Sequence, residues 1–171
     1  MPDPDEITTI VMDAIAQVCS LALGGGHVFA AGTTDSVTGV DPDVVPLADD
    51  FIEAGMPAIT VTLGPWQPPM LPGHVRETVT CLGAIWRRRV PLAENVQGLY
   101  GDRDRLIRAF VAHARAFEHV DAIQSAVLMG GPGLKGRAIP RRGGAEGTAL
   151  FLTLPFKVEV KLMYTLVAQP A

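Results

Sequence analysis

Between Leu150 and Tyr164 every even position is apolar: Leu150, Leu152, Leu154, Phe156, Val158, Val160, Leu162 and Tyr164. Thr153, Lys157, Glu159 and Lys161 hold odd positions. Side chains on a strand alternate between faces, so this period of two specifies one long strand with an apolar and a polar face. A strand with one wet face belongs to an antiparallel sheet. Pro155 marks a bend or an edge, because proline cannot donate to a ladder. The rest of the chain must therefore supply strands to pair with this one and an apolar layer to cover it.

Both are legible upstream. PAITVTL, residues 57–63, is β-branched and bounded by proline and glycine, which predicts a strand. HVRETVTCLGAIWRRRV, residues 74–90, predicts a second, longer one ending in three arginines. Between them GPWQPPMLPG, residues 64–73, has four prolines, which forbid helix and central strand; it reads as an extended loop with Trp66 and Met70 as its apolar contacts. IQSAVLMG, residues 123–130, predicts a further strand, and HVFAA a short one inside the loop-like stretch 27–45.

Two helices supply the layer. Asp3, Pro4 and Glu6 form a start signal, and Ile7, Ile10, Val11, Ala14, Ile15 and Val18 make one apolar stripe that Gly24, Gly25 and Gly26 terminate. GDRDRLIRAFVAHARAF is expected to open at Gly101 and Asp102, with Leu106, Ile107, Phe110, Val111, Ala114 and Phe117 on its core side. PLADDFIEA, residues 46–54, predicts a short third helix. No internal repeat or linker interrupts this order. The expectation is one α+β domain over residues 1–171, with helices packed on a mainly antiparallel β-sheet. A long basic Gly-rich β-hairpin completes it, its arm over about 123–166 and its tip at 130–147.

That tip contains GGPGLKGRAIPRRGG, residues 130–144: six glycines, two prolines and four basic residues. A phosphate-binding P-loop requires a lysine followed by Ser or Thr at the start of a helix, whereas Gly136 follows Lys135 and no helical pattern succeeds it. GGGHVFAAG, residues 24–32, follows a helix where a dinucleotide fingerprint follows a strand. Histidines 27, 74, 113 and 119 lack the spacing of a helical zinc pair, and Cys19 and Cys81 stand far apart. Cys81 reads as a buried inert thiol, and Asp49, Asp50 and Glu53 as the solvated face of a short helix. No catalytic, cofactor or metal site is nominated, and no enzyme activity is expected.

Charge is the remaining signal. Residues 1–75 hold ten acidic and no basic side chains, and residues 76–171 hold fourteen basic against eight acidic, so the halves carry −10 and +6. Such polarity suits a subunit whose unlike edges meet head to tail, or one whose basic part meets a polyanion. Lys135, Arg137, Arg141 and Arg142 on the tip, with Arg87, Arg88 and Arg89 at a strand end, are the interaction candidates. They suit a phosphate backbone or an acidic protein surface and not base-specific readout; basic residues placed for solubility explain them equally. The N-terminus is acidic where a secretory leader is basic and then apolar, and no apolar run reaches 18 residues, so a reduced cytoplasmic setting without a membrane span is expected.

The order of elements, from the N-terminal helix through MPAITVTL, the long second strand, GDRDRLIRAFVAHARAF and the glycine-rich hairpin to the C-terminal strand, resembles the tail terminator proteins of long-tailed bacteriophages over roughly residues 5–166. The resemblance implies a non-catalytic virion subunit without cofactor, assembled in the host cytoplasm into a homo-hexameric ring at the head-proximal end of the tail tube. Such a ring ends tube polymerisation and joins the tail tube protein to the neck. It implies contacts to neighbouring rings through strand edges and through Trp66 and Met70. The hairpin then docks on the tube or neck ring, or faces passing DNA without sequence preference. A head-completion or head-closure neck protein shares this size and ring habit, and a small cytoplasmic ligand-binding domain or enzyme is the reading from another class.

Overall fold

A computed structural model of the chain describes residues 7–24, 27–30, 56–66, 74–113, 117, 123–141 and 147–165. Helix α1 (Ile7–Ala22) precedes strands β1 (His27–Ala30), β2 (Ala58–Trp66) and β3 (His74–Arg88). Helix α2 (Leu92–Ala112) follows, then β4 (Ile123–Gly130), β5 (Lys135–Pro140) and β6 (Thr148–Thr165). The sheet runs β1-β2-β3-β6-β4, with β5 also paired to β6. All pairs are antiparallel except β1 with β2. The architecture is α+β, two helices on a mainly antiparallel sheet.

The 18-residue β6 is the spine of this sheet. On one side β3 pairs with it from His74↔Thr165 to Arg88↔Phe151. On the other, β4 occupies the stretch opposite 156–162 and β5 the stretch opposite 148–153, so the two are consecutive segments of one edge. Pro155 therefore lies in an interior strand and not at an edge. The break between β4 and β5 explains how it is accommodated. The carbonyl oxygen of Pro155 is 2.5 Å from where a side chain at Gly131 would begin, so the backbone polar edge of Pro155 faces the gap, where no ladder bond requires a donor. Gly131 is required by the same approach.

The helices cover one face. Ile7, Val11, Met12, Ile15, Val18, Cys19 and Ala22 of α1 are buried against Ile59, Val61, Val79, Cys81, Ile85, Val158 and Val160. Each large aliphatic side chain so removed from water contributes roughly 1.5–3 kcal/mol. The helix ends at Gly24, whose φ of +62° is the left-handed conformation that glycine reaches without strain. The expected start signal at Asp3, Pro4 and Glu6, and the expected helix at 46–54, lie outside the described residues.

Three expectations are corrected. First, α2 begins at Leu92, more than two turns before Gly101. Its opening stretch, LAENVQGLY, is too polar to show an apolar stripe, and Leu99 is its sole buried anchor among the residues of that stretch. Asp102 is no cap: it is fully buried in the middle of the helix. Second, the even-position rule along β6 holds from Leu152 to Leu162 and fails at the end that β5 covers. There Phe151 is 1% exposed and Leu150 44% exposed, because Phe151 joins Ala58, Trp86 and Ile139 in a second small core on the face away from the helices. Trp86 meets Phe151 edge-on with ring centroids 6.1 Å apart, and its indole N–H donates to Thr60 Oγ1 at 2.9 Å. Third, β2 continues past its predicted end to Trp66 through a bulge between Leu63 and Trp66. Gly64 sits in the bulge, where a side chain would begin 2.7 Å from the carbonyl oxygen of Thr80.

Candidate functional site

The glycine-rich segment is a strand for much of its length. Lys135 to Pro140 pair with Thr153 to Thr148, and the Arg141 N–H reaches the Gly147 carbonyl at 3.3 Å. Residues 131–134 are thus the described break in the ladder, and the tip narrows from the expected 130–147 to the connection beyond Arg141. Arg142 lies outside the described residues, as does Met70. The backbone of Trp66 ends β2 opposite Val79.

Register fixes the faces. Val79, Cys81 and Ile85 of β3 belong to the helix-covered core, so Arg76, Thr78, Thr80, Leu82 and Arg88 lie on the opposite face. Their partners on β6 are Met163, Lys161, Glu159, Lys157 and Phe151. On β5, Lys135 stands opposite Thr153 and Arg137 opposite Phe151, which places both on that same face. Six exposed cations, Arg76, Arg88, Lys135, Arg137, Lys157 and Lys161, therefore share one side of the sheet. Arg89 and Arg141 are also exposed.

Arg87 departs from the group. It points to the helix side, where Nε lies 2.5 Å from Asp102 Oδ2 and Nη2 lies 3.1 Å from Oδ1. Arg105 adds a 2.7 Å bond to Oδ1. A buried carboxylate needs such partners, so the Arg87 charge is spent inside the fold and is not offered to a docking partner.

On the helix-covered side a groove of about 870 Å³ lies between α2 and β4. Tyr100, Ile107 and Val111 of α2 form its wall, and Leu128, Leu154 and Phe156 lie across from them. Sequence periodicity places Ile107 and Val111 with the core stripe. In the fold they follow Leu106 and Phe110 by one residue, about 100° round the helix, and Val111 is 75% exposed. No strand among the described residues pairs with the outer edge of β4.

Acid–base and metal chemistry has little to build on among the described residues. No three of His, Cys, Asp and Glu gather where a metal could be held. Burial pushes the Cys19 thiol up to about 12, with the neighbouring Cys81 adding to the effect, and burial pushes Cys81 to about 12 as well. Cys81 Sγ lies 3.7 Å from Met12 Sδ. His113 is exposed at the end of α2. No described helix is long and apolar enough to cross a membrane. No protein-family model and no curated protein matches the chain, so its groove, open strand edge and cation row are what bear on its function.

Proposed function

We propose that the chain is a structural subunit of a long-tailed phage virion, a tail terminator that assembles into a hexameric ring at the head-proximal end of the tail tube, ends tube polymerisation and presents the joining surface to the neck. The observation that carries this reading is the apolar groove beside α2 with the edge of β4 along it, which no strand among the described residues pairs. A strand edge without a partner strand among the described residues, next to exposed Ile107 and Val111, is the kind of surface that a subunit keeps for a neighbour. The charge polarity supports a closing head-to-tail arrangement, since the −10 and +6 halves are complementary between adjacent copies. In this reading the protein binds no cofactor and catalyses nothing.

Silencing the gene in the parent virus tests the proposal by electron microscopy of tails. Overlong tails of variable length are expected. Tails of normal length beside emptied heads would assign the chain to head closure instead. The groove also supports a reading from another class, because its volume falls within the range of small-molecule sites. An apolar ligand bound at one equivalent per chain, with tails unaffected, would replace the virion reading with that one.

A further inference from the structure

We propose that the sheet face turned away from the helices binds the phosphate backbone of duplex DNA without reading its bases. The six exposed cations of that face come from β3 and from the consecutive strands β5 and β6, and pairing to β6 brings them into one row. Arg88 and Arg137 flank position 151, Lys135 stands at 153, Lys157 and Lys161 follow, and Arg76 stands opposite 163. From position 151 to position 163 the row is about 40 Å long at the usual rise of a strand. That is slightly more than one turn of B-DNA, whose phosphates repeat every 3.4 Å of axis on each strand.

Charge complementarity on this face is strong. Glu159 is its sole carboxylate among the described residues of β3, β4, β5 and β6, and no ion pair ties up any of the six cations among the described residues. The length and linearity of the row favour a repetitive polyanion over an acidic protein patch, which would present its charges as a compact cluster. A duplex is favoured over a single strand, because binding of unpaired bases uses exposed aromatic platforms. Among the described residues the two aromatic rings on this face, Trp86 and Phe151, are buried in the second core. No described helix lies on this face to enter a groove and read base edges, so affinity comes from phosphates alone.

The inference rests on the ring reading only in naming what this sheet face meets, and the binding itself does not depend on tail assembly. The test titrates the purified full chain with a 30-base-pair duplex by fluorescence anisotropy between about 50 and 200 mM salt, where counterion release dominates. Light scattering on the same samples reports assembly, so that loss of DNA binding and loss of the ring are read separately. With six contacts the logarithm of the association constant is expected to fall with log salt at a slope of about 5, and Lys157→Ala with Lys161→Ala is expected to lower that slope by about 2. Arg103→Ala with Arg108→Ala, on α2, is expected to leave it unchanged. Salt-insensitive or absent binding overturns the proposal, as does a Lys157/Lys161 variant that binds like the parent. Polyglutamate competing as well as DNA at equal charge would overturn it in favour of an acidic protein partner.

Discussion

Alanine at Gly98 should destabilise the protein, although glycine-to-alanine changes inside helices usually do the reverse. Both Gly98 and Gly101 lie within α2, and helix propensity alone favours alanine by about 1 kcal/mol at each. At Gly101 a new methyl group meets nothing within 4 Å. At Gly98 it would stand 2.6 Å from Cζ of Arg87 and 2.7 Å from Nη1. The guanidinium must retreat by about 1 Å to restore van der Waals contact, and its bonds to Asp102 then exceed hydrogen-bonding distance. Breaking a buried ion pair costs about 3–5 kcal/mol, and the lower end applies because Arg105 keeps its bond to the carboxylate. Against the propensity gain, the net loss is about 2 kcal/mol, or a Tm lower by about 4–8 °C for a chain of this size. Gly101→Ala should raise Tm by about 2–4 °C. In an Asp102→Asn background the Gly98→Ala penalty should shrink, because the bond it breaks is already weakened. Thermal unfolding followed by circular dichroism decides the matter: equal stabilisation by both alanines would refute the claim that Arg87 is pinned.

Four further outcomes follow from the same geometry. Gly83→Ala would place its methyl group on the ring of Phe156, its cross-strand partner, and should cost about 1–3 kcal/mol by urea unfolding; adding Phe156→Leu should recover part of the loss. Both thiols should resist a disulfide reagent in the native state at pH 8 and react on unfolding, since buried cysteines with pKa near 12 hold their protons there. Because the folded thiols bind protons more tightly than unfolded ones at the ordinary value of 9.0, their contribution to stability is complete below pH 9 and falls as pH rises towards 12, which urea midpoints across that range will register. Ile107→Glu with Val111→Glu should convert an assembled species to monomer in light scattering while leaving the unfolding midpoint within about 0.5 kcal/mol of the parent, as expected for exposed positions.

How much of this was legible in the sequence depended on whether a feature is local. The period of two marks β6, and bounding prolines and glycines mark β2, β3 and β4, because one strand's alternation is set by the core it faces. The same rule fails at Leu150 and Phe151, where a second core on the other face reverses which side is buried. Local reasoning also missed β5. Among its described side chains KGRAIP buries that of Ile139 alone, and its order comes from backbone bonds to β6 that leave no pattern in the side chains. The first turns of α2 were hidden for a related reason: their polar residues are held in a helix that Leu99, Leu106 and Phe110 anchor further along. Strand alternation sets Arg88 on the face opposite Arg87, but that Arg87 is held inside the fold became visible only with the buried carboxylate of Asp102 beside it. The cation row was least legible of all, since it exists only once the registers of β3, β5 and β6 are known together.

Those registers also bear on whether assembly and DNA contact compete. The groove beside α2 opens on the helix-covered side and the cations stand on the other, with the one-strand thickness of the sheet between them. A neighbour seated in the groove, or paired with the edge of β4, meets the subunit from the helix side or laterally. Such a neighbour does not cover the far face. In the ring proposed above, the cation rows can face a common axis while the groove contacts lie off it, and the like charges brought together there oppose closure until salt or a polyanion screens them. A duplex held in the proposed ring through phosphates alone would be free to slide, because a purely ionic interaction is screened by salt and has no register on the bases.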